Sequence, residues 1–492
     1  MKLKDGLILR EVAGQYVIVP TGKRVREVTS IVYISSSGAY LWDYMKDHEF
    51  EKEDLVQRIL EHYEGVTREK AAEDIEKFLK TLADNNILDD GIVRGKGICP
   101  DAREGRKVMS QGLSGNRQEA GQERTPGVPG GTEELRERQP HDFEPACRRM
   151  EWLDPFYKAV WEEAYAKAIP ISGTFELTPR CNFDCRMCYV HLKPERIPEF
   201  GRELSAKEWI RIAGEAREAG TTWLCVTGGE PLMHPEFETI WRELTGMGFF
   251  ITLQTNASMI TRRMAELFEE CPPRGVKVTL YGSGDEVYER VCRVKDGFTR
   301  VDQGIQRIME LGIPVQLIST VIRQNAEDVQ RMAFYAYSHR LPWMATGGIK
   351  PSVRGADSQA REVRVQEKTD EHLRQEIRWR MEKAPVNIAR KPCTYCKDYR
   401  LGYWVTWNGE MRFCSFMNEP HIDVKEQAFA KAWEELIRYQ EALDWPQECK
   451  TCEAQSVCFK CAGTLAAECG SAERVSEEFC SKVRKIYREV RG

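Results

Sequence analysis

Between Leu7 and Ile34 the apolar and polar positions follow the short periods of β-structure. Leu7-Ile8-Leu9-Arg10-Glu11-Val12 and Tyr16-Val17-Ile18-Val19 read as two strands separated by Ala13-Gly14-Gln15, and Ile31 to Ile34 reads as a third. Beyond Ser37 the spacing becomes helical. One stripe runs through Ala39, Leu41 and Trp42, the next through Leu55, Ile59 and Leu60, and a third through Ala72, Ile75, Phe78, Leu79 and Leu82. The pattern predicts a small α+β unit over residues 1–94, three strands followed by three helices.

The pattern then stops. From Gly95 to Pro140 there is no aromatic residue, and Thr125-Pro126-Gly127-Val128-Pro129-Gly130-Gly131 is rich in turn formers. With so little apolar surface to bury, nothing offsets the entropy of ordering the backbone, so residues 95–150 read as a flexible linker. Periodicity returns over 151–360 as an alternation of strand and helix. Six strands are predicted: Gly173 to Leu177, Trp223 to Thr227, Phe249 to Gln254, Val276 to Leu280, Val315 to Val321 and Met344 to Ile349. Amphipathic segments such as Lys207 to Ala219 and Val301 to Leu311 separate them. This alternation implies an α/β domain with a parallel sheet, and six units suggest an open, partial barrel rather than a closed eight-stranded one. Residues 361–492 show little regular pattern between their cysteines, apart from amphipathic stretches at Ala428 to Leu443 and after Cys480.

Composition narrows the possibilities. The chain has 492 residues with 72 Lys and Arg against 77 Asp and Glu, a net charge of −5, which is too balanced for a general nucleic-acid binder. Hydrophobic residues at 41% can fill ordinary cores. No apolar run approaches a membrane span and the first residues have no signal-peptide core, so a cytoplasmic location is expected. There the 17 cysteines are more useful as metal ligands than as disulfides. Three lie between Cys181 and Cys188 and nine between Cys393 and Cys480.

Directly after the first barrel strand stands Cys181-Asn182-Phe183-Asp184-Cys185-Arg186-Met187-Cys188-Tyr189. Three thiolates in one short loop can hold three irons of a four-iron cluster and leave the fourth open to a substrate. The loop resembles that of the radical S-adenosylmethionine (radical SAM) enzymes. In that family the open iron chelates the methionyl amine and carboxylate of SAM, and the reduced cluster cleaves the sulfonium to give methionine and a 5′-deoxyadenosyl radical. Met187 stands where the family often has an aromatic residue and can cover the same adenine-facing surface, with Tyr189 beside it. Thr227-Gly228-Gly229-Glu230-Pro231 matches the family's Gly-Gly-Glu-Pro motif, with glycines for close backbone approach and a carboxylate for the methionyl ammonium. Gln254-Thr255-Asn256 resembles the family's segment beside SAM. By the same resemblance Thr279 offers a hydroxyl, Arg293 or Arg290 a cation for the SAM carboxylate, and Ser319 or Thr320 contacts to the ribose.

The C-terminal cysteines resemble the SPASM extension, which in relatives holds two auxiliary four-iron clusters. Twelve residues separate Cys396 from Gly409 and four more separate Gly409 from Cys414, before Cys449-x2-Cys452-x5-Cys458. Cys458-x2-Cys461 departs from the family's usual spacing. By position, Cys393, Cys396, Cys414 and Cys461 form one ligand set. Cys449, Cys452, Cys458 and Cys480 form the other, with Cys469 competing for the closing place. A pair of zinc knuckles is the alternative. Ser35-Ser36-Ser37-Gly38-Ala39-Tyr40-Leu41-Trp42 and the helices after it resemble the PqqD-like precursor-recognition (RRE) domain, a winged-helix-like unit that captures a leader peptide as an added strand.

Taken together, the resemblances imply a maturase of a ribosomally made peptide that closes a thioether or carbon–carbon cross-link. It would use SAM, three [4Fe-4S] clusters, a precursor peptide and a flavodoxin- or ferredoxin-type reductant, with no nucleic-acid or membrane partner. The alternatives are a sulfatase-maturase-type side-chain oxidase, an iron–sulfur electron carrier and a zinc-stabilised peptide binder. No residue identifies itself as a catalytic acid or base.

Overall fold

The computed structural model describes residues 1–28, 31–89, 155–383, 390–458 and 461–492. The linker expected over 95–150, with Cys99 and Cys147, lies outside them. The N-terminal unit holds β1 (Lys2–Leu3), β2 (Leu7–Val12), β3 (Gln15–Pro20), β4 (Val32–Ile34) and β5 (Leu88–Asp89), with helices α1 (Ser36–Met45), α2 (Lys52–His62) and α3 (Arg68–Asp84). Strands β2, β3 and β4 form an antiparallel sheet with β2 and β4 at its edges. The short β1 and β5, absent from the sequence reading, pair with each other and join the two ends of the unit.

That sheet is covered on both faces. Ile18, Val32 and Ile34 face α1 to α3, whose Leu41, Trp42, Leu55, Ile75 and Leu82 complete one core. Val12, Val17 and Val19 turn the other way and share a second core with Val160, Ile171, Phe250 and Leu401. Arg10 crosses the same boundary: its guanidinium donates to the carbonyls of Thr221 (2.7 Å), Arg217 (2.8 Å) and Gly248 (3.2 Å). Burial pulls its pKa down to about 10.

After α4 (Pro155–Lys167) come β6 (Ser172–Glu176), α5 (Ala206–Glu218), β7 (Trp223–Thr227), α6 (Phe237–Gly246), β8 (Phe250–Thr255), α7 (Arg262–Glu270), β9 (Gly275–Thr279), α8 (Asp285–Cys292), α9 (Gly297–Glu310), β10 (Val315–Thr320), α10 (Val329–Ser338) and β11 (Trp343–Thr346). All six expected strands are present, and β6 to β11 run parallel in sequential order. Within each strand alternate residues pack under the helices: Leu224 and Val226 on β7, Val276 and Val278 on β9, Val315 and Leu317 on β10. The intervening residues face the barrel interior. The contacts from Arg10 and Phe250 therefore seat the N-terminal unit against the N-terminal ends of the strands, and the chemistry-bearing loops lie at the opposite end.

The C-terminal region is more regular than its sequence suggests. Strand β12 (Gly402–Val405) pairs in parallel with β6, and β13 (Glu410–Arg412) and β14 (Ile422–Asp423) follow in antiparallel. The sheet is thus nine-stranded, in the order β11-β10-β9-β8-β7-β6-β12-β13-β14, and runs through the boundary expected at residue 361. Gly173 admits this union, because a Cβ there would collide with the ring of Tyr403. Helices α11 (Gln366–Glu382), α12 (Phe429–Ala442), α13 (Ala462–Cys469) and α14 (Glu477–Arg491) complete the region. Among the described residues no helix is long and apolar enough to cross a membrane.

Candidate active site

The cysteine loop leaves the C-terminal end of β6 and rests on the end of α8. Its backbone is fixed there by Asp184 N–H to the Cys292 carbonyl (3.1 Å) and Arg186 N–H to that of Val291 (3.0 Å). Cys185 is buried, and the Cys292 thiol and the Tyr281 hydroxyl act on its thiol. The Cys185 thiol is pushed up chiefly by Cys292 and by burial, Cys181 by burial and by Cys185, and Cys188 to about 11 by burial and by Cys185. Three thiols sharing one buried field cannot all ionise unaided. A cationic iron–sulfur cluster supplies what they lack, so the donor set fits that group.

A second loop, from the end of β7, is pressed against the first. Gly229 N–H donates to the Thr178 carbonyl and Glu230 N–H to that of Arg180, both at 2.7 Å. Gly228 and Gly229 make this possible. A Cβ on Gly228 would lie 2.8 Å from the Thr178 oxygen, and one on Gly229 would overlap the Arg180 carbonyl and lie 2.8 Å from that of Pro179. Pro231 is buried and opens the short turn Pro231–Met233.

Glu230 does not offer its carboxylate outward, as the sequence reading expected. It is completely buried and accepts from Thr255 Oγ1 (2.8 and 2.9 Å), Asn256 N–H (2.8 Å) and Leu232 N–H (3.2 Å). The carboxylate therefore ties the glycine loop to the end of β8. Burial raises its pKa to about 7 despite these donors. The native state then holds a proton that the unfolded chain has lost between the ordinary glutamate range and pH 7. Stability from this residue is complete below that range and falls as pH rises through about 7. Replacing Glu230 by glutamine is expected to flatten this fall, measured as the urea midpoint across that interval in both proteins. An unchanged slope would show that another group sets it.

Asn256 reaches the cysteine loop itself. Its amide donates to Asn182 Oδ1 (2.9 Å) with Cys181 Sγ at 3.8 Å, while Ser258 Oγ donates to its carbonyl (2.6 Å). Met187 is buried in the main core, and Thr279 is half-buried on the interior face of β9. The Tyr189 ring lies 4.8 Å from that of Phe416, in the segment just after Cys414.

Two further expectations need correction. Ser319 is on the helix-facing side of β10 with Val315 and Leu317, is completely buried, and accepts from the Trp343 indole (2.9 Å). It cannot reach a ribose in the barrel, whereas Thr320 has the interior parity. Arg293 is committed to Asp184 (2.6 Å) inside the cysteine loop and caps α8 in the left-handed conformation. Arg290 is exposed on the same helix. Neither arginine faces the interior between the loops. Asp285, at the start of α8, accepts from Thr299 N–H (2.9 Å) and Oγ1 (2.6 Å) and so ties that start to the first turn of α9. Tyr281 and Cys292 were not singled out. Their signal was weak, since a tyrosine after a strand and a cysteine at a helix end are common in cores.

In the C-terminal region Cys393, Cys396, Cys414 and Cys461 converge. Burial first, and then the charge of the other thiols, raises Cys393 to about 12 and Cys414 to about 11, while burial and then Asp398 raise Cys396. Gly463 leaves room for this group, because a Cβ there would lie 2.8 Å from Cys414 Sγ. Cys449, Cys452, Cys458 and Cys480 line one concavity with Trp445, Gln455 and Arg484. Cys469, at the end of α13, is not among its lining residues. Among the described residues no three His, Cys, Asp or Glu side chains converge on the geometry of a single ion. A cluster that gives each thiolate its own iron needs a wider set.

Comparison with known proteins agrees with this geometry. Residues 175–336 match the family model described as the radical SAM superfamily. Residues 16–88 match that of coenzyme PQQ synthesis protein D (PqqD). The chain carries a radical SAM domain preceded by a PqqD domain. It accordingly uses S-adenosylmethionine and a [4Fe-4S] cluster. Among curated relatives of this radical SAM protein, an AdoMet-dependent heme synthase of Methanosarcina barkeri is 23% identical over 60% of this chain and 92% of its own length. A PqqA peptide cyclase of Ruegeria pomeroyi is 28% identical over 33% of this chain, and the match spans 42% of the cyclase. Streptococcus suis SuiB bound to precursor peptide SuiA is 14% identical and covers 97% of this chain and 99% of its own, with a TM-score of 0.50, a likeness of fold alone.

Proposed function

We propose that this radical SAM protein is a maturase of a ribosomally synthesised peptide. The observation that carries this reading is the PqqD domain: it matches over 16–88 and is built into the enzyme through Arg10 and a shared core. An electron carrier or a zinc-stabilised binder has no use for a glycine loop pressed onto a cysteine loop at the mouth of a barrel. A sulfatase-type enzyme has no evident use for a leader-binding unit. Relatives named PqqA peptide cyclase support the same substrate class.

On this reading Cys181, Cys185 and Cys188 would hold the [4Fe-4S] cluster, which with SAM would supply radical hydrogen abstraction from the peptide. Gly228 and Gly229 bring the backbone close enough to line that space, Glu230 holds the loop to β8, and Asn256 orients the cysteine loop through Asn182. The leader occupies the N-terminal unit, leaving the core peptide to reach the far end of the barrel. Two further clusters belong to Cys393, Cys396, Cys414 and Cys461 and to Cys449, Cys452, Cys458 and Cys480. Clusters held there would supply an acceptor for the surplus electron when a thioether or carbon–carbon bond forms. A flavodoxin- or ferredoxin-type protein provides the reducing electron, in a cytoplasm that keeps the thiols reduced.

A division of labour follows. Cys452→Ala is expected to retain SAM cleavage while the peptide product disappears, both read in one anaerobic assay by chromatography and mass spectrometry. Full product formation in that variant would remove the second C-terminal set from the mechanism.

A further inference from the structure

Charged side chains turned into a barrel interior normally have partners, and Glu176 illustrates it. Its carboxylate takes both Arg354 nitrogens (2.7 and 2.8 Å) and the Trp404 indole (3.0 Å). Lys277 has none. It stands mid-β9 between Val276 and Val278, which are buried under the helices, so its side chain leaves the opposite, interior face. Gln254 of β8 and Gln316 of β10 are its direct register partners. Three adjacent strands, roughly 4.8 Å apart, thus present amide, ammonium and amide in one row. Among the described residues none of the three side chains has a hydrogen bond or ion pair, Gln254 is exposed, and Lys277 and Gln316 are half-buried.

The row has a telling position. It lies one pleat repeat, about 7 Å, below Thr279 and Asn256, the latter hydrogen-bonded to Asn182 of the cysteine loop. The Lys277 charge, with that of Lys397 after Cys396, also acts on the Cys225 thiol of β7. A lone ammonium in a half-enclosed space, flanked by amides that can donate and accept, selects a planar anion, and its charge opposes any cationic guest.

We propose that Gln254, Lys277 and Gln316 form a subsite for the carboxylate of an aspartate or glutamate side chain of the peptide being modified. The proposal rests on the maturase reading and names the residue class brought under the radical. The other carboxylate available to such a row is that of SAM.

The test uses the full-length, anaerobically reconstituted protein and a candidate precursor peptide encoded beside its gene. Wild-type enzyme is first scored for SAM cleavage and for a change in peptide mass. SAM cleavage with no change in peptide mass is the failure of the maturase reading, and the subsite falls with it. Lys277→Met is then compared with wild type on two readouts, SAM affinity by equilibrium dialysis and peptide KM. Peptides in which each Asp or Glu in turn becomes Asn or Gln complete the set. The expected result is an unchanged SAM affinity and a KM raised about tenfold or more. One acid of the peptide should show the same loss against wild type and no further loss against Lys277→Met. Weakened SAM binding would assign the row to SAM and overturn the proposal. So would losses that add for every acid of the peptide, or an unchanged KM.

Discussion

Replacing Cys185 by alanine is expected to abolish 5′-deoxyadenosine release and to lower bound iron from on the order of twelve to on the order of eight atoms per chain. Cys185 is the most enclosed of the three thiols in its loop, between Cys292 and Tyr281. No other described cysteine can take its place, because Cys292 is held at the end of a packed helix and its carbonyl already anchors the loop. Cys271→Ala, outside all three sets, serves as control and should keep both iron and activity. Measurable deoxyadenosine from the Cys185 variant would sink the assignment of this loop. Iron reduced by the full twelve would instead mean that the loop supports the fold of the C-terminal region.

The second large effect is expected at Gly229, where an added methyl group overlaps the Arg180 carbonyl. The clash is with backbone, so no side chain can swing aside to absorb it. The glycine loop must move away from residues 178–180, breaking the bonds at Gly229 N–H and Glu230 N–H that set its height over the cysteine loop. A displacement of about 1 Å at a reacting centre costs on the order of a hundredfold, and deoxyadenosine release should fall by about that factor. Iron content should stay at the wild-type level, since Cys181, Cys185 and Cys188 are untouched. A variant with unimpaired release would show that the close approach serves packing alone.

Much of this was legible in the chain. The barrel strands declared themselves because parallel strands buried on one face keep a strict period of two, as in Val276 and Val278. The cysteine and glycine loops were legible because their spacing stands at strand ends. Strand β12 was not: Gly402 to Val405 is only four residues, and its partner β6 lies more than two hundred positions earlier. Ser319 was misplaced although its parity was readable, since Val315, Leu317 and Ser319 share one face and only Thr320 looks inward. Arg293 was misplaced for a different reason. Its partner Asp184 is remote in sequence, and nothing local announces a left-handed cap there. Glu230 shows the limit most clearly. Its motif was recognised, yet its burial against Thr255 and Asn256 depends on how two strand ends meet. The Gln254, Lys277 and Gln316 row likewise exists only through the register of three strands.

The most direct test of the account is the mass of a candidate precursor peptide encoded beside this gene, after anaerobic incubation with the intact protein, SAM and reductant, with alkylation to count free thiols. The account predicts loss of a hydrogen pair, accompanied by deoxyadenosine and methionine. One masked thiol would denote a thioether, and all thiols free a carbon–carbon link. Deoxyadenosine formed with every peptide mass unchanged would contradict the maturase reading while leaving the radical SAM chemistry in place.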